Sequence, residues 1–359
     1  LDSLTKIGTQ RRRSARCCFL SNIQEDHMST RAFRLLAAAL STVFVFFGGA
    51  SPALAADPEV VRFGWFGGPR IWTICKATGM FDKSLETKVE WVQFPSGAAA
   101  LTSLAAKQVD ISRLGSTPTV AAIARKLPIE VFAIDGIIQT SERLIAKGGV
   151  NSVAELKGKR IAYPPGSTAH YALMAALKVN NIAAKDVTLV SLTPADMVAA
   201  WKRGDIDAGY VWGPFSHTME GDGGKEILAT QALQKSGYYV WNDYVVRKEF
   251  AEKYPHIVVK FLQTYQQCVE MYNKDKDAMV KLVAQHLNQN EAAVRDTMSG
   301  LHFPSIKETV TLLSEGGPIQ PAMLDTARFL VELGDLKQSE VPASFKPFVN
   351  TTYLERAAK

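Results

Sequence analysis

Cysteine is scarce in this chain, with only four among 359 residues. Cys17 and Cys18 lie within the first 55 residues, and Cys75 and Cys268 are isolated from each other and from further cysteines. The sequence therefore offers no cysteine-rich metal site. Cys75 and Cys268 both lie in apolar helical patterns, which favours buried free thiols, although an oxidising compartment would also permit a disulfide between them.

The common catalytic motifs are missing as well. No G-x-S-x-G turn of a serine hydrolase occurs, and neither does a Walker loop or a dinucleotide fingerprint. His217 and Glu220 form an H-x-x-E pair, but no second histidine pair accompanies them to complete a metal site. We expect no catalytic residue, no metal and no cofactor.

A secretory leader is expected near the beginning of the chain. A positively charged segment starts at Met28, an apolar run follows from Leu35 to Phe47, and Ala53-Leu54-Ala55 supplies a small-residue cleavage pattern. The apolar run is too short to span a bilayer core of about 30 Å. We therefore predict a signal peptide over 28–55, a mature start near Ala56, and a non-native upstream extension over 1–27.

The basic charge of the chain comes mostly from this leader. The formal net charge is +6, but residues 1–55 hold seven basic and three acidic residues, so the remainder carries a net charge of +2. A nucleic-acid partner is therefore not expected.

Strand and helix patterns alternate along the chain. They do so from Val60 to Ile134 and again from Arg160 to Trp212, and helical patterns dominate after Arg247. Such alternation predicts an α/β fold with mainly parallel strands and helices on both faces. The length after residue 55 favours two lobes rather than one core.

Three turns share one design, in which a strand is followed by hydroxyl residues that open a helix. The turns are Ser96-Gly97, Ser116-Thr117-Pro118 and Ser167-Thr168. Free N–H groups at a helix N-terminus carry partial positive charge and suit an oxyanion. Each serine alone is most simply a helix cap, but three in matching positions indicate one shared anion site.

Two further residues belong to these turns. Pro118 suits the first position of its helix, because proline has no N–H to leave unpaired there. His170 follows Ser167 by one helical turn, so that it either donates to the anion or supports the turn.

Several segments resemble the taurine and aliphatic-sulfonate solute-binding proteins of bacterial ABC importers. The recurring segments are GKRIA at 158–162, ST-HY at 167–171, AAW-RGDIDA-YVW at 199–212 and VVRK-FAEK-P at 245–255. The resemblance implies a monomeric periplasmic protein that binds taurine or a related sulfonate and delivers it to the membrane subunits of an ABC permease.

The resemblance also implies a two-lobed periplasmic-binding-protein fold of type II with a ligand cleft between the lobes. Lobe 1 would span 57–140 and 246–359, and lobe 2 would span 141–245. The hinges would lie near Gly136–Arg143 and Asn242–Val246.

The nature of the ligand depends on further residues. Asp243 falls where the taurine-binding relatives carry an aspartate, which would accept from the ligand's ammonium group. That cation or the carbon chain would face one of four aromatic residues, Trp212, Trp65, Tyr210 or Trp241. Arg70 falls near an acidic residue of those relatives. If Arg70 faces the cleft rather than solvent, it favours a second anionic group or an amine-free ligand.

Alternative ligands for the same fold are nitrate, an aromatic sulfonate or a thiamine pyrimidine. An enzyme of the pyrimidine-synthase type is the least favoured alternative, because the relatives of that type use a cysteine-rich iron site.

Overall fold

The computed structural model describes residues 56–66 and 68–359. The predicted signal peptide over 28–55 and the upstream extension over 1–27 lie outside the described residues. Within the described ranges, no helix combines the length and the apolar character needed to cross a bilayer.

The strands of the described chain form two sheets, one of six and one of five strands. In chain order they are β1 (Val60–Trp65), β2 (Lys88–Gln93), β3 (Ile111–Gly115), β4 (Ile129–Ile138), β5 (Glu142–Ala146), β6 (Arg160–Tyr163), β7 (Thr188–Ser191), β8 (Ala208–Trp212), β9 (Lys225–Ala229), β10 (Trp241–Arg247) and β11 (Leu301–His302). The six-stranded sheet has the order β11-β4-β10-β3-β1-β2, and the five-stranded sheet has the order β7-β6-β8-β5-β9.

Helices connect most of these strands. In chain order they are α1 (Ile71–Ala77), α2 (Met80–Leu85), α3 (Gly97–Ala105), α4 (Ser116–Ala124), α5 (Thr168–Val179), α6 (Pro194–Arg203), α7 (Phe215–Gly221), α8 (Lys248–Lys253), α9 (Pro255–Lys274), α10 (Lys276–Leu287), α11 (Glu291–Ser299), α12 (Ile306–Leu313), α13 (Ile319–Glu332) and α14 (Thr352–Ala357). The predicted α/β alternation and the helical segment after Arg247 are both present.

The strand directions are mainly parallel in each sheet, as predicted. β1 runs parallel to β2 and β3, and β6 runs parallel to β7 and β8. β10 and β5 instead pair antiparallel with their neighbours. β5 is the first strand of the five-stranded sheet, and with β10 the chain returns to the six-stranded sheet.

The pairing of β10 bears on the expected lobe boundaries. Residues 241–245, which the sequence assigns to lobe 2, pair with β3 and β4 of the six-stranded sheet. The six-stranded sheet therefore takes up the chain again at Trp241. The residue bounds of the two lobes remain a proposal, and we now end the second lobe at residue 240.

An aromatic cluster packs on the six-stranded sheet. The ring of Phe63 lies 4.9 Å from that of Trp91 and 5.7 Å from that of Phe261 on α9, and Phe81 stacks on Phe261 at 4.7 Å. Such pairs add about 0.5–1.5 kcal/mol each beyond the burial of their area. This packing holds α2 and α9 against β1 and β2.

One helix start differs from the prediction. α4 begins at Ser116 with Gly115 as its N-cap residue, so Pro118 is the third helical residue rather than the first. The first turn still tolerates proline there, because its N–H groups have no partner within the helix.

The expectation of free thiols at Cys75 and Cys268 is wrong. The two sulfur atoms are bonded at 2.09 Å, with 5.9 Å between the Cα atoms. The pairing arises because α1, which carries Cys75, packs directly against α9, which carries Cys268. Sequence spacing could not reveal this contact across 193 residues.

We predict that the double substitution Cys75→Ala/Cys268→Ala lowers the free energy of unfolding by about 2–5 kcal/mol, because the cross-link restricts a long loop in the unfolded chain. Urea unfolding followed by circular dichroism measures the change, with wild type under reducing conditions as the matched control. Alkylation of both thiols in denatured protein that was purified without reductant would contradict the disulfide.

Candidate ligand-binding site

Four helix N-termini meet around one cavity. α3, α4, α5 and α6 follow β2, β3, β6 and β7, so all four begin at the carboxyl ends of their strands. The cavity has a volume of about 170 Å³ and is lined from both sheets. It is smaller than the roughly 300–1,000 Å³ of pockets that hold drug-sized ligands, and the positive ends of the helices face it.

Most of the residues predicted from sequence lie at this cavity. Ser96, Ser167, Thr168, Trp212 and Arg70 line it. Ser116 and Thr117 are fully buried directly after Gly115, which lines the cavity. The three predicted turns therefore come together, as the sequence pattern indicated.

Two glycines permit this close approach. A Cβ at Gly115 would lie 2.9 Å from the Cγ2 atom of Thr168, and a Cβ at Gly97 would lie 2.9 Å from the Cγ atom of Pro118. Both distances are shorter than any side chain tolerates. The absence of side chains at these two positions lets three helix N-termini touch one another.

The hydroxyl groups at these turns differ in whether their protons are free. Ser167 donates to the carbonyl of Pro164 at 2.6 Å, Thr168 donates to Glu142 at 2.7 Å, and Thr193 donates to Asp196 at 2.7 Å. The oxygen of Ser96 accepts from the backbone N–H of Ala99 at 3.3 Å. Within the described part of the chain, the Ser96 hydroxyl has no acceptor, so its proton remains available to a ligand.

Further unpaired donors surround the cavity. The amide Nδ2 of Asn242 and the indole Nε1 of Trp212 are buried without a partner among the described residues, and both residues line the cavity. The hydroxyls of Ser116 and Thr117 are also buried without a hydrogen-bond partner among the described residues. A buried polar group without a hydrogen bond costs about 1–3 kcal/mol, so a bound acceptor would relieve several of these groups at once.

Two arginines line the cavity and share one carboxylate. Nε of Arg113 donates to Oδ2 of Asp135 at 2.7 Å, and Nε of Arg70 lies 3.8 Å from the same oxygen. Both arginine side chains are 2% exposed and Asp135 is completely buried. Burial and the neighbouring Arg113 lower the pKa of Arg70 to about 9, which leaves it protonated at neutral pH.

Glu142 lines the cavity from the five-stranded sheet. It stands opposite Trp212 in the pairing of β5 with β8 and accepts from Thr168, while its second oxygen has no partner in the described ranges. Burial raises the pKa of Glu142 to about 7, although Thr168, Arg70 and Arg113 act in the opposite direction. Its charge therefore changes near neutral pH.

His170 and Asp243 do not line the cavity. The His170 ring stacks on Tyr163 at 4.2 Å and accepts from the backbone N–H of Gly166 at 3.4 Å, so it supports the turn before α5. Asp243 is completely buried and accepts from the indole of Trp241 at 2.7 Å. Burial raises the pKa of Asp243 to about 7.

Sequence reasoning missed Arg113, Asp135, Glu142 and Asn242. One signal was available, because Arg113 is a charged residue in the otherwise uncharged strand β3, immediately before the turn at Gly115. Glu142 and Asn242 lie at the beginnings of β5 and β10, and Asp135 lies within β4. Only the packing of the two sheets brings Glu142 to the arginines.

Comparisons with known proteins show the family to which the chain belongs. The family model for the substrate-binding domain of ABC-type glycine betaine transport systems matches residues 60–299. The taurine-binding periplasmic protein of Escherichia coli is 34% identical over 79% of this chain and 88% of its own length. A putative aliphatic sulfonates-binding protein of the same organism is 26% identical over 65% and 73%, respectively.

A solved structure supports the fold. The alkanesulfonate-binding protein SsuA of Xanthomonas axonopodis pv. citri, bound to MOPS, has a TM-score of 0.70 at 23% identity and covers 83% of this chain and 100% of its own. The expected two-lobed periplasmic-binding-protein fold is confirmed.

Because the pKa of Glu142 is raised, we predict that Glu142→Gln increases the free energy of unfolding by an amount that depends on pH. The unfolded chain releases the Glu142 proton near its ordinary pKa of 4.5 and the folded chain only near 7, so stability falls as pH rises between these values. The cost above pH 7 is on the order of 3 kcal/mol, at about 1.4 kcal/mol for each pKa unit. The neutral glutamine avoids this cost.

Urea unfolding near pH 4 and pH 8 measures the effect, with the exposed Glu252→Gln as the control. We expect Glu142→Gln to increase the free energy of unfolding near pH 8 and to leave it unchanged near pH 4. An equal change at both pH values would contradict the assigned protonation.

Proposed function

The chain belongs to the family of substrate-binding domains of ABC-type transport systems, and we propose that it captures a small aliphatic sulfonate in the cavity between its two sheets. The bound sulfonate is then delivered to the membrane permease of an ABC importer. The role is one of binding and release, without a chemical change in the ligand.

The convergence of helix N-termini with unpaired donors carries this proposal. A sulfonate is a permanent anion with three acceptor oxygens and no proton to exchange. The free N–H groups of α3, α4 and α5, the Ser96 hydroxyl and the Asn242 amide supply donors from several directions. Neutral donors and helix dipoles hold an anion at a lower desolvation cost than a charged side chain that is buried to pair with the anion.

The relatives point to the same ligand class. One relative is named for taurine and another for aliphatic sulfonates, and the neighbouring solved structure contains MOPS, which is itself a sulfonate. Nitrate and other small anions remain the alternatives, because they too are recognised by donors. They lack the carbon chain for which Phe66 and Trp212 provide apolar surface in the cavity.

Capture would proceed by closure of the two lobes. The chain passes between the sheets at 139–141 and again before Trp241, so we place the hinges there. Arg143 on β5 and His217 on α7 both contact Asp296 on α11, which directly precedes β11 of the six-stranded sheet. These contacts would hold the closed form, as in hinge-type binding proteins.

The proposed location is the periplasm, with the mature chain starting near Ala56 after removal of the signal peptide. The disulfide between Cys75 and Cys268 fits an oxidising compartment. The related proteins named above include a periplasmic one. We expect the protein to act as a monomer that docks on the permease.

The proposal predicts selective stabilisation by sulfonates. Ethanesulfonate at a concentration of about 100 times its Kd should raise the free energy of unfolding by about 2.7 kcal/mol, which thermal denaturation detects. Glycine betaine should have no effect, because its quaternary ammonium would face Arg70 and Arg113. Stabilisation by nitrate or glycine betaine but by no sulfonate would overturn the proposed function.

Ser96→Ala should weaken sulfonate binding by about tenfold, because a hydrogen bond to a charged group contributes about 1.5–3 kcal/mol. Titration calorimetry with ethanesulfonate measures the loss. Ser96→Thr keeps the hydroxyl and the helix cap and should bind nearly normally, and the exposed Ser339→Ala is the matched control. Unchanged affinity in Ser96→Ala would remove Ser96 from the site.

A further inference from the structure

The cavity contains more positive charge than one sulfonate requires. Arg70 and Arg113 both line it, and the carboxylate that they share, Asp135, lies fully buried behind them. Asp135 also accepts from the hydroxyl of Tyr244 at 2.6 Å. One of the two guanidinium charges is therefore without a partner of its own.

We propose, on the basis of the proposed function, that the ligand carries a second anionic group that binds to Arg70 and Arg113. The ligand class is then a short sulfocarboxylate, with the sulfonate at the helix N-termini and the carboxylate at the two guanidinium groups. The cavity volume of about 170 Å³ is below that of pockets that hold drug-sized ligands, so few carbon atoms separate the two anions.

Backbone carbonyl groups hold both guanidinium groups in place. Nη1 of Arg113 donates to the carbonyl of Phe66 at 2.9 Å, and Nη1 of Arg70 donates to the carbonyl of Pro69 at 2.8 Å. Across the described residues, the Nη2 atom of neither arginine is hydrogen-bonded, and Nε of Arg70 is buried without a partner. A planar carboxylate matches such fixed donors with two parallel hydrogen bonds.

An ammonium group fits this cavity poorly. Glu142 is the only carboxylate among the described residues that line it, and that carboxylate lies in the field of Arg70 and Arg113. A cation at Glu142 would therefore meet two buried like charges. Asp243, the acceptor that the sequence suggested for an amine, does not line the cavity.

The protonated form of Glu142 is compatible with a ligand that carries two negative charges. A protonated carboxyl can donate from its unpaired oxygen to an anionic ligand. The groups that face Glu142 are the two arginines and Thr168, together with the buried Tyr210. None of these groups supplies a second negative charge to repel the ligand.

Calorimetric titration of the purified protein with sulfoacetate, ethanesulfonate and taurine tests the proposal. We expect sulfoacetate to bind at least about tenfold more tightly than ethanesulfonate, because it adds a charge-assisted pair of hydrogen bonds. Taurine should bind more weakly than sulfoacetate. Equal affinities, or tighter binding of taurine, would overturn the second-anion proposal while leaving the proposed function intact.

The substitution Arg70→Gln locates the second subsite. It should weaken sulfoacetate binding more than ethanesulfonate binding, so that the preference of at least about tenfold for sulfoacetate falls to about one. Because Arg113 keeps Asp135 paired, the variant should fold, and its ethanesulfonate binding reports that directly. The exposed Arg203→Gln is the matched control.

A variant Arg70→Gln that still prefers sulfoacetate as strongly as wild type would contradict the subsite. Failure of every sulfonate to bind wild type would instead refute the proposed function itself.

Discussion

The unpaired backbone N–H groups at the first turns of α3, α4 and α5 are the constraint on which the rest of the site depends. A helix cannot satisfy these groups internally, so the protein must leave them to solvent, caps or a ligand. Here two sheets bring them to one small cavity, and Gly97 and Gly115 allow the contact by lacking a Cβ. The result is a volume with many donors and few acceptors, which selects for an anion before any charged side chain is considered.

The shared carboxylate of Asp135 is the second element of the design. It accepts from Arg113 and Tyr244 and lies close to Arg70, while Tyr265 donates to its backbone carbonyl at 2.8 Å. Breaking a buried pair of this kind is costly because it leaves an uncompensated charge. The network therefore holds the two guanidinium groups rigidly at the wall of the cavity, so that little side-chain entropy is lost when a ligand binds.

Much of this architecture could be predicted from sequence, and the exceptions have a physical reason. The alternation of strand and helix patterns predicted the α/β fold, and the repeated serine turns predicted that Ser96 and Ser167 face one cavity, because both signals are local. Three features depend instead on contacts between elements that are distant in the sequence. They are the Cys75–Cys268 bond, the position of Glu142 near Arg70 and Arg113, and the position of Asp243 outside the cavity lining. Sequence order also could not show that the hydroxyls of Ser167 and Thr168 donate to Pro164 and Glu142. Of the three residues, only Ser96 therefore keeps a hydroxyl proton available to a ligand.

A crystal structure of the protein with bound ethanesulfonate tests the central claim most directly. The account predicts that the sulfonate oxygens lie within about 3.2 Å of the Ser96 hydroxyl and of backbone nitrogens in the first turns of α3 and α5. A sulfonate bound elsewhere, or held in the cavity by side chains alone with the helix N-termini unoccupied, would contradict it.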